Sequence, residues 1–157
     1  MILWKTTVAP SRIPGAGKGL FAAEAVPAGR ILIAPDRIDR MHPLAEKLAF
    51  APGSIEDESS VCWFEDWFTT CPDWPDECYV NHSFTPTGIW HLGFLFAARD
   101  LAPGDELTMD YRLVVGTGEA LPFSDSETGR PIVGLPWREK FESSARLLLG
   151  IVSAPPG

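Results

Sequence analysis

Cysteine is scarce. The 157-residue chain has three, Cys62, Cys71 and Cys78, with no CxxC or CxC pairing. That number and spacing give neither a disulfide framework nor a four-ligand zinc site, so reduced thiols and no metal are expected. Tyrosine is scarcer still: any chemistry that needs a phenol falls on Tyr79 or Tyr111. Positive charge is also short, with 13 Lys and Arg against 21 Asp and Glu and a net charge of −8. Nucleic-acid binding draws most of its affinity from clustered Lys and Arg, so direct nucleic-acid binding is not expected and a cationic partner fits better. No run approaches the roughly 18 apolar residues of a membrane span. Met1 to Val8 reads as a strand and lacks the basic start and long apolar stretch of a secretory signal. The expectation is a cytoplasmic protein with no membrane contact.

What is present suits one compact domain: 45% of residues are hydrophobic and 22% charged. Short apolar runs at Thr6 to Ala9, Gly19 to Ala23 and Arg30 to Ala34 are separated by Gly and Pro turns, the pattern of short strands in a mainly β or α+β domain. His42 to Phe50 predicts a helix stopped by Pro52-Gly53, and Glu56 to Ser60 a polar loop. The aromatic-rich segment from Val61 to Trp74, broken by Pro72 and Pro75, does not decide between helix and strand. Gly88 to Ala98 predicts a strand, Pro103-Gly104 a turn into Glu106 to Tyr111, and Gly116 to Gly134 a long loop. Pro136, Trp137, Phe141, Ala145, Leu148 and Leu149 describe an amphipathic terminal helix with Gly150 as its stop, before a frayed tail at 153–157.

Three segments carry chemistry. In Gly15-Ala16-Gly17-Lys18-Gly19, alternate glycines let the backbone turn tightly and approach a ligand. The segment is no dinucleotide fingerprint, for it lacks the strand-turn-long-helix frame, and no P-loop, for it lacks the Lys-Ser/Thr ending. Asn81-His82-Ser83 sets donors and acceptors among aromatic residues, which suits either a polar ligand edge or a capped turn with a satisfied histidine. Adjacent residues seldom reach hydrolase geometry, which disfavours a Ser83–His82 pair. Gly104-Asp105-Glu106-Leu107-Thr108-Met109-Asp110-Tyr111 taken alone is an exposed turn leading into an edge strand.

In order and separation these segments resemble the SET-domain family of lysine methyltransferases over roughly Ser11 to Tyr111. Gly17-Lys18-Gly19 is similar to its Gly-x-Gly, Asn81-His82-Ser83 with Pro86 to its Asn-His-Ser-x-x-Pro, and Arg99-Asp100 through Asp110-Tyr111 to its closing signature. The resemblance implies a β-clip-like fold of small sheets with a knot-like C-terminal segment, a core over 1–112 and an extension over 113–157 packed on it. It implies S-adenosylmethionine as cofactor, leaving as S-adenosylhomocysteine, and the lysine ε-amine of a basic protein or peptide as acceptor. Ala16, Gly17, Lys18, Gly19, Asn81 and His82 would hold the cofactor, with Trp137 a cover for the adenine or the channel. Tyr79, Trp90 and Met109 would line the lysine channel and Tyr111 would be catalytic. Some members associate as pairs, which is compatible with a homodimer. The alternative is a silent module that binds the cofactor or a basic peptide without transfer. Cys78 stands where many members have Arg, Phe84 where they have Cys, Thr87 where they have Asn, and Met109 where they have Phe or Tyr. The family's usual middle tyrosine and the zinc-binding cysteines after the domain are missing.

Overall fold

The computed structural model describes residues 1–35 and 41–153; residues 154–157 of the expected frayed tail lie outside the described residues. Four small sheets carry the chain. The first has the order β1-β2-β10-β7, from β1 (Thr6–Pro10), β2 (Lys18–Ala22), β7 (Asn81–His82) and β10 (Glu106–Met109). A second joins β3 (Ile31–Ile33), β9 (Phe94–Ala97) and β8 (Gly88–His91), and a third joins β4 (His42–Pro43), β6 (Trp67–Thr69) and β5 (Val61–Phe64). β11 (Ala120–Ser124) and β12 (Pro131–Val133) form a hairpin before the terminal helix α3 (Trp137–Val152). Two single-turn helices, α1 (Leu44–Lys47) and α2 (Ile55–Glu58), precede β5. The mainly β, α+β class read from the sequence is the class observed.

One apolar cluster joins the first two sheets: Leu20, Ala22, Leu32, Ile33, Leu95, Ala97 and Leu107 all belong to it. Leu20 and Leu107 are register partners on β2 and β10, 0% and 1% exposed. Leu107→Ala leaves a cavity beneath both motif strands, and denaturant unfolding is expected to show a loss of about 2–5 kcal/mol. A loss below about 1 kcal/mol would show that the site collapses around the smaller side chain.

Several elements differ from the sequence reading. Met1 to Val8 is not one strand, because the chain changes sheets within it. Ile2 bridges to Ile33, Trp4 Nε1 donates to Ile31 O at 2.8 Å, and only from Thr6 does the chain pair with β2. The helix expected over His42 to Phe50 shrinks to α1, because His42-Pro43 is spent pairing with Phe68 and Trp67. The loop expected at Glu56 to Ser60 contains α2, whose N-cap Ser54 accepts from the Asp57 N–H. Val61 to Trp74 resolves into the hairpin β5–β6.

Gly88 to Ala98 is two strands, not one. Leu92 and Gly93, with φ of 50° and 89°, turn β8 back onto β9 in the left-handed geometry that suits a two-residue hairpin loop. Gly93 is required twice, since a Cβ there would meet Trp63 Cε3 at 2.5 Å. Gly116 to Gly134 is a hairpin, not a loop. Asp125 closes it by accepting from the Thr128 N–H and hydroxyl at 2.7 and 2.6 Å. α3 runs through Gly150 to Val152, with Ile151 seated against the turn at Gly29.

Candidate functional site

The two motifs meet on a parallel pairing of β10 with β7, Thr108 opposite Asn81 and Met109 opposite His82. The pairing is only two residues long, yet side chains and turns extend it. The Ser83 N–H donates to Met109 O at 3.1 Å, and the Tyr111 N–H donates to His82 Nδ1 at 3.1 Å. The Tyr111 hydroxyl reaches back to donate to Val80 O at 2.8 Å. Tyr111 sits at the head of a 3-10 turn, Tyr111–Leu113, capped by the Asp110 side chain, which accepts from the Arg112 N–H. Both ends of the tyrosine are therefore fixed to the segment that carries Asn81 and His82. Burial, and secondarily the Cys78 thiol, push the Tyr111 hydroxyl above its usual value, so it stays protonated at neutral pH.

Asn81 ties the glycine segment to this pair. Its Nδ2 donates to Lys18 O at 2.9 Å, Glu106 Oε1 at 3.1 Å and Ser11 Oγ at 3.2 Å. Glu106, buried at 8% exposure, accepts also from the Ser11 hydroxyl at 2.6 Å and the Arg12 N–H at 2.8 Å. The two glycines of the motif serve different ends. Gly17 has φ of 73°, left-handed backbone that bulkier residues resist, with open space where a Cβ would stand. Gly19 gives clearance, because a Cβ there would fall 2.3 Å from Glu106 Oε1. Ser11 and Glu106 were not singled out in the sequence as site residues. The signal for Glu106 was its place in the closing motif, but a carboxylate after Pro-Gly-Asp reads as an exposed turn until β2 is known to lie against it.

His82 is neutral in this setting. Its Nδ1 is an acceptor, which leaves the proton on Nε2, buried without a hydrogen-bond partner and 3.7 Å from Asp125 Oδ1. Burial lowers its pKa below 6.5 and Arg112 adds to this, while Asp110 and Asp125 pull the other way. Below pH 6.5 the unfolded chain therefore takes up a proton that folded His82 refuses. Its share of stability is complete above that pH and is lost as pH falls toward the folded value. Thermal unfolding is expected to shift down on acidification from about pH 7 to about pH 5, and less so in His82→Asn. An equal shift in both proteins would show that another group sets it.

Ser83 has no part with His82; its hydroxyl accepts from the Thr85 N–H at 3.0 Å. Tyr79, Trp90 and Met109 all pack on the core cluster, and Lys18 Nζ stands 5.6 Å over the Tyr79 ring. Trp90 crosses Trp63 edge to face at 6.4 Å and donates from Nε1 to Cys62 O at 3.2 Å. Trp137 meets Phe141 at 5.6 Å, and both face Trp63 and Trp90 across a narrow cleft of about 10 Å³. Trp137 is thus grouped with Trp90. Among the other aromatic candidates, Trp74 turns to Tyr79, while Phe64 and Trp67 lie exposed on the β5–β6 hairpin. A larger cavity of about 230 Å³, lined by Phe84, Pro86, Ile89, Asp110, Arg112 and Leu147, adjoins the His82–Phe84 ring pair.

Four small sheets, with a parallel strand pair where the chain's two motifs meet and a tyrosine bonded back across it, make the architecture SET-like. The SET domain matches residues 17–112, more than half of the chain, and the protein belongs to the SET-domain family. That family consists in general of protein-lysine methyltransferases that use S-adenosylmethionine. No curated protein matches the sequence. Among solved structures the chain is similar to one in an active polycomb repressive complex 2 in the stimulated state, with TM-score 0.56 and 16% identity over 87% of this chain. It is similar also to one in apo ctPRC2 carrying two substitutions in Ezh2, with TM-score 0.57 and 16% identity over 98% of this chain. At that identity the likeness concerns the fold alone. The chain spans 18% and 23% of the length of those two. Among the described residues, no helix is long and apolar enough to cross a membrane, and no group of three or more His, Cys, Asp or Glu is placed to hold a metal ion.

Proposed function

We propose that this chain transfers a methyl group from S-adenosylmethionine to the ε-amine of a lysine in a basic protein or peptide. The observation that carries the reading is the Tyr111 hydroxyl fixed by donating its single proton to Val80 O; an amine would then meet its lone pairs.

The residues present fit the cofactor. All of Asn81's bonds use Nδ2, and among the described residues Oδ1 has no partner, the acceptor that a cofactor ammonium requires. The open turn in which left-handed Gly15 and Gly17 flank Ala16, with Lys18 and Gly19, offers backbone groups to the amino-acid end. The His82 backbone and the apolar cavity beside Phe84 suit the adenine. When bound, the cofactor supplies a methyl carbon on a sulfonium, open to in-line attack without a metal.

The chain's own work is to bind, orient and dry the acceptor. A lysine ammonium, with a reference pKa of about 10.4, must lose its proton first, and burial among Tyr79, Trp90 and Met109 disfavours the charged form. Tyr111, held protonated, orients the resulting amine and is no base. The chain's net charge of −8 favours a basic partner. Trp137, placed beside Trp90, suits a cover over the channel better than one over the adenine.

Calorimetric titration with S-adenosylmethionine and S-adenosylhomocysteine tests the cofactor half. Saturable binding of both is expected, and absence of either would remove the methyltransferase reading. Binding followed by no transfer to any basic protein would favour the silent module.

A further inference from the structure

The proposed reaction uses the His82 backbone and leaves its ring without a task. Ring Nδ1 accepts from the Tyr111 N–H at 3.1 Å, while Nε2, on a side chain 5% exposed, has no hydrogen-bond partner. Asp125 Oδ1 stands 3.7 Å from Nε2, and that side chain is itself only 6% exposed. Asp125 belongs to the β11–β12 connection, in the extension beyond the matched residues 17–112. Its orientation is set within that connection. Oδ2 accepts from the Thr128 N–H and hydroxyl at 2.7 and 2.6 Å, and the Asp125 N–H donates to Arg130 O at 2.9 Å. One carboxylate oxygen is thus spent on the turn, and the other is left toward His82. The hairpin is fastened in its turn to the tyrosine, since the Leu135 N–H donates to Arg112 O at 3.0 Å and β12 packs against the Tyr111–Leu113 turn. The Thr128 bonds, against the cost of burial, hold the Asp125 carboxyl below the usual carboxylate range, so it is charged at neutral pH.

We propose that Asp125 is a positioning residue: it selects the His82 tautomer that accepts the Tyr111 N–H, and so sets where the Tyr111 hydroxyl stands. Its effect on turnover rests on the function proposed above. A neutral imidazole can carry its proton on either nitrogen. A carboxylate only accepts, so Oδ1 favours the proton on Nε2 and leaves the Nδ1 lone pair to Tyr111. With the proton on Nδ1, two N–H groups would face each other and the Tyr111 backbone would have to move. The other groups around the ring do not make this choice. Phe84 lies edge to face at 4.6 Å, and the Asp110 carboxylate is tied to Arg112 Nε and Nη2 at 3.0 and 2.5 Å. Because the tyrosine ring hangs from that backbone, a displacement of about 1 Å there is enough to cost turnover heavily.

Asp125→Asn is the discriminating variant. Its amide oxygen can take over both Thr128 bonds and keep the turn, while its amide nitrogen brings a donor to Nε2 and drives the imidazole proton toward Nδ1. Nuclear magnetic resonance of the full chain carrying isotope-labelled histidine reads which ring nitrogen is protonated, with the His82 signals assigned by their loss in His82→Asn. Wild type is expected to carry the proton on Nε2. In Asp125→Asn a measurable share should move to Nδ1, the Tyr111 amide resonance should move with it, and methyl transfer should fall about tenfold or more with S-adenosylhomocysteine binding kept. A proton on Nδ1 in wild type, or His82 and Tyr111 resonances unchanged in the variant, would overturn the proposal. Unchanged turnover in an active protein whose tautomer has moved would overturn the effect on catalysis. Should Asp125→Asn unfold, Asp125→Ser, whose hydroxyl can accept the Thr128 N–H, reads the same link. Its His82 should titrate at lower pH than wild type, because one of the two carboxylates that oppose burial and Arg112 is gone. An unchanged midpoint there would sink the link between the two residues. The resonances report on Asp125 whether or not the chain transfers methyl groups, so failure of the proposed activity is seen separately.

Discussion

Tyr111→Phe is expected to lower methyl transfer about 100-fold or more while leaving the fold and cofactor binding in place. The ring remains, packed 5.4 Å from the His82 ring, and the backbone N–H still donates to His82 Nδ1. What goes is one hydroxyl whose proton binds Val80 O, a cost to folding of about 1–3 kcal/mol because Val80 is 2% exposed and its carbonyl loses that donor. The turnover loss has a different origin. Methyl transfer depends on lining up an amine lone pair with one carbon, and the hydroxyl oxygen is the polar atom that both ends of Tyr111 hold still. Single-turnover rates beside thermal unfolding separate the two effects. Unchanged turnover would remove Tyr111 from the mechanism.

Asn81→Ala is expected to weaken S-adenosylhomocysteine binding about 100-fold. Two contributions of about 1.5 kcal/mol each make up that factor. One is the lost acceptor Oδ1, and the other is the loosened glycine segment, which loses its donor to Lys18 O. The variant also takes one donor from Glu106, which keeps the Ser11 hydroxyl and the Arg12 N–H. The fold therefore survives while the ligand surface slackens. Asn81→Asp would set a carboxylate against Glu106 Oε1 and Lys18 O, so it disturbs the glycine segment by repulsion and does not isolate the acceptor. Calorimetry on Asn81→Ala beside wild type reads the loss. Binding by Asn81→Ala equal to wild type would mean that the cofactor does not use this edge of the site.

How much of this was legible in the sequence follows from the range of the interactions. The motif residues were readable because each carries its reason locally: Gly17 needs left-handed backbone, Asn81-His82 forms a short strand, and Asp110-Tyr111 caps and opens the turn that follows β10. β1, β2 and β3 fell within a residue or two of their expected places because turn residues bound them closely. Hairpins were harder. Leu92-Gly93 hides in an apolar stretch, since a left-handed leucine gives no compositional signal, and β11–β12 pairs through only two register positions separated by an irregularity. Glu106 and Ser11 were hidden for another reason. They lie 95 residues apart, and only the antiparallel placement of β10 against β2 brings them together. Trp137 was named in the sequence as a cover and left open between two places, because nothing local says which sheet a terminal helix will cover; α3 lies against β8, where His91 Nδ1 meets the Ser144 hydroxyl at 2.8 Å.

The most direct test is transfer of labelled methyl from S-adenosylmethionine to a mixture of basic proteins, with wild type and Tyr111→Phe side by side and the labelled residue identified by mass spectrometry. The account predicts label on lysine side chains with wild type and little with Tyr111→Phe. Label on another residue type, equal label from both proteins, or saturable cofactor binding with no label at all would contradict it.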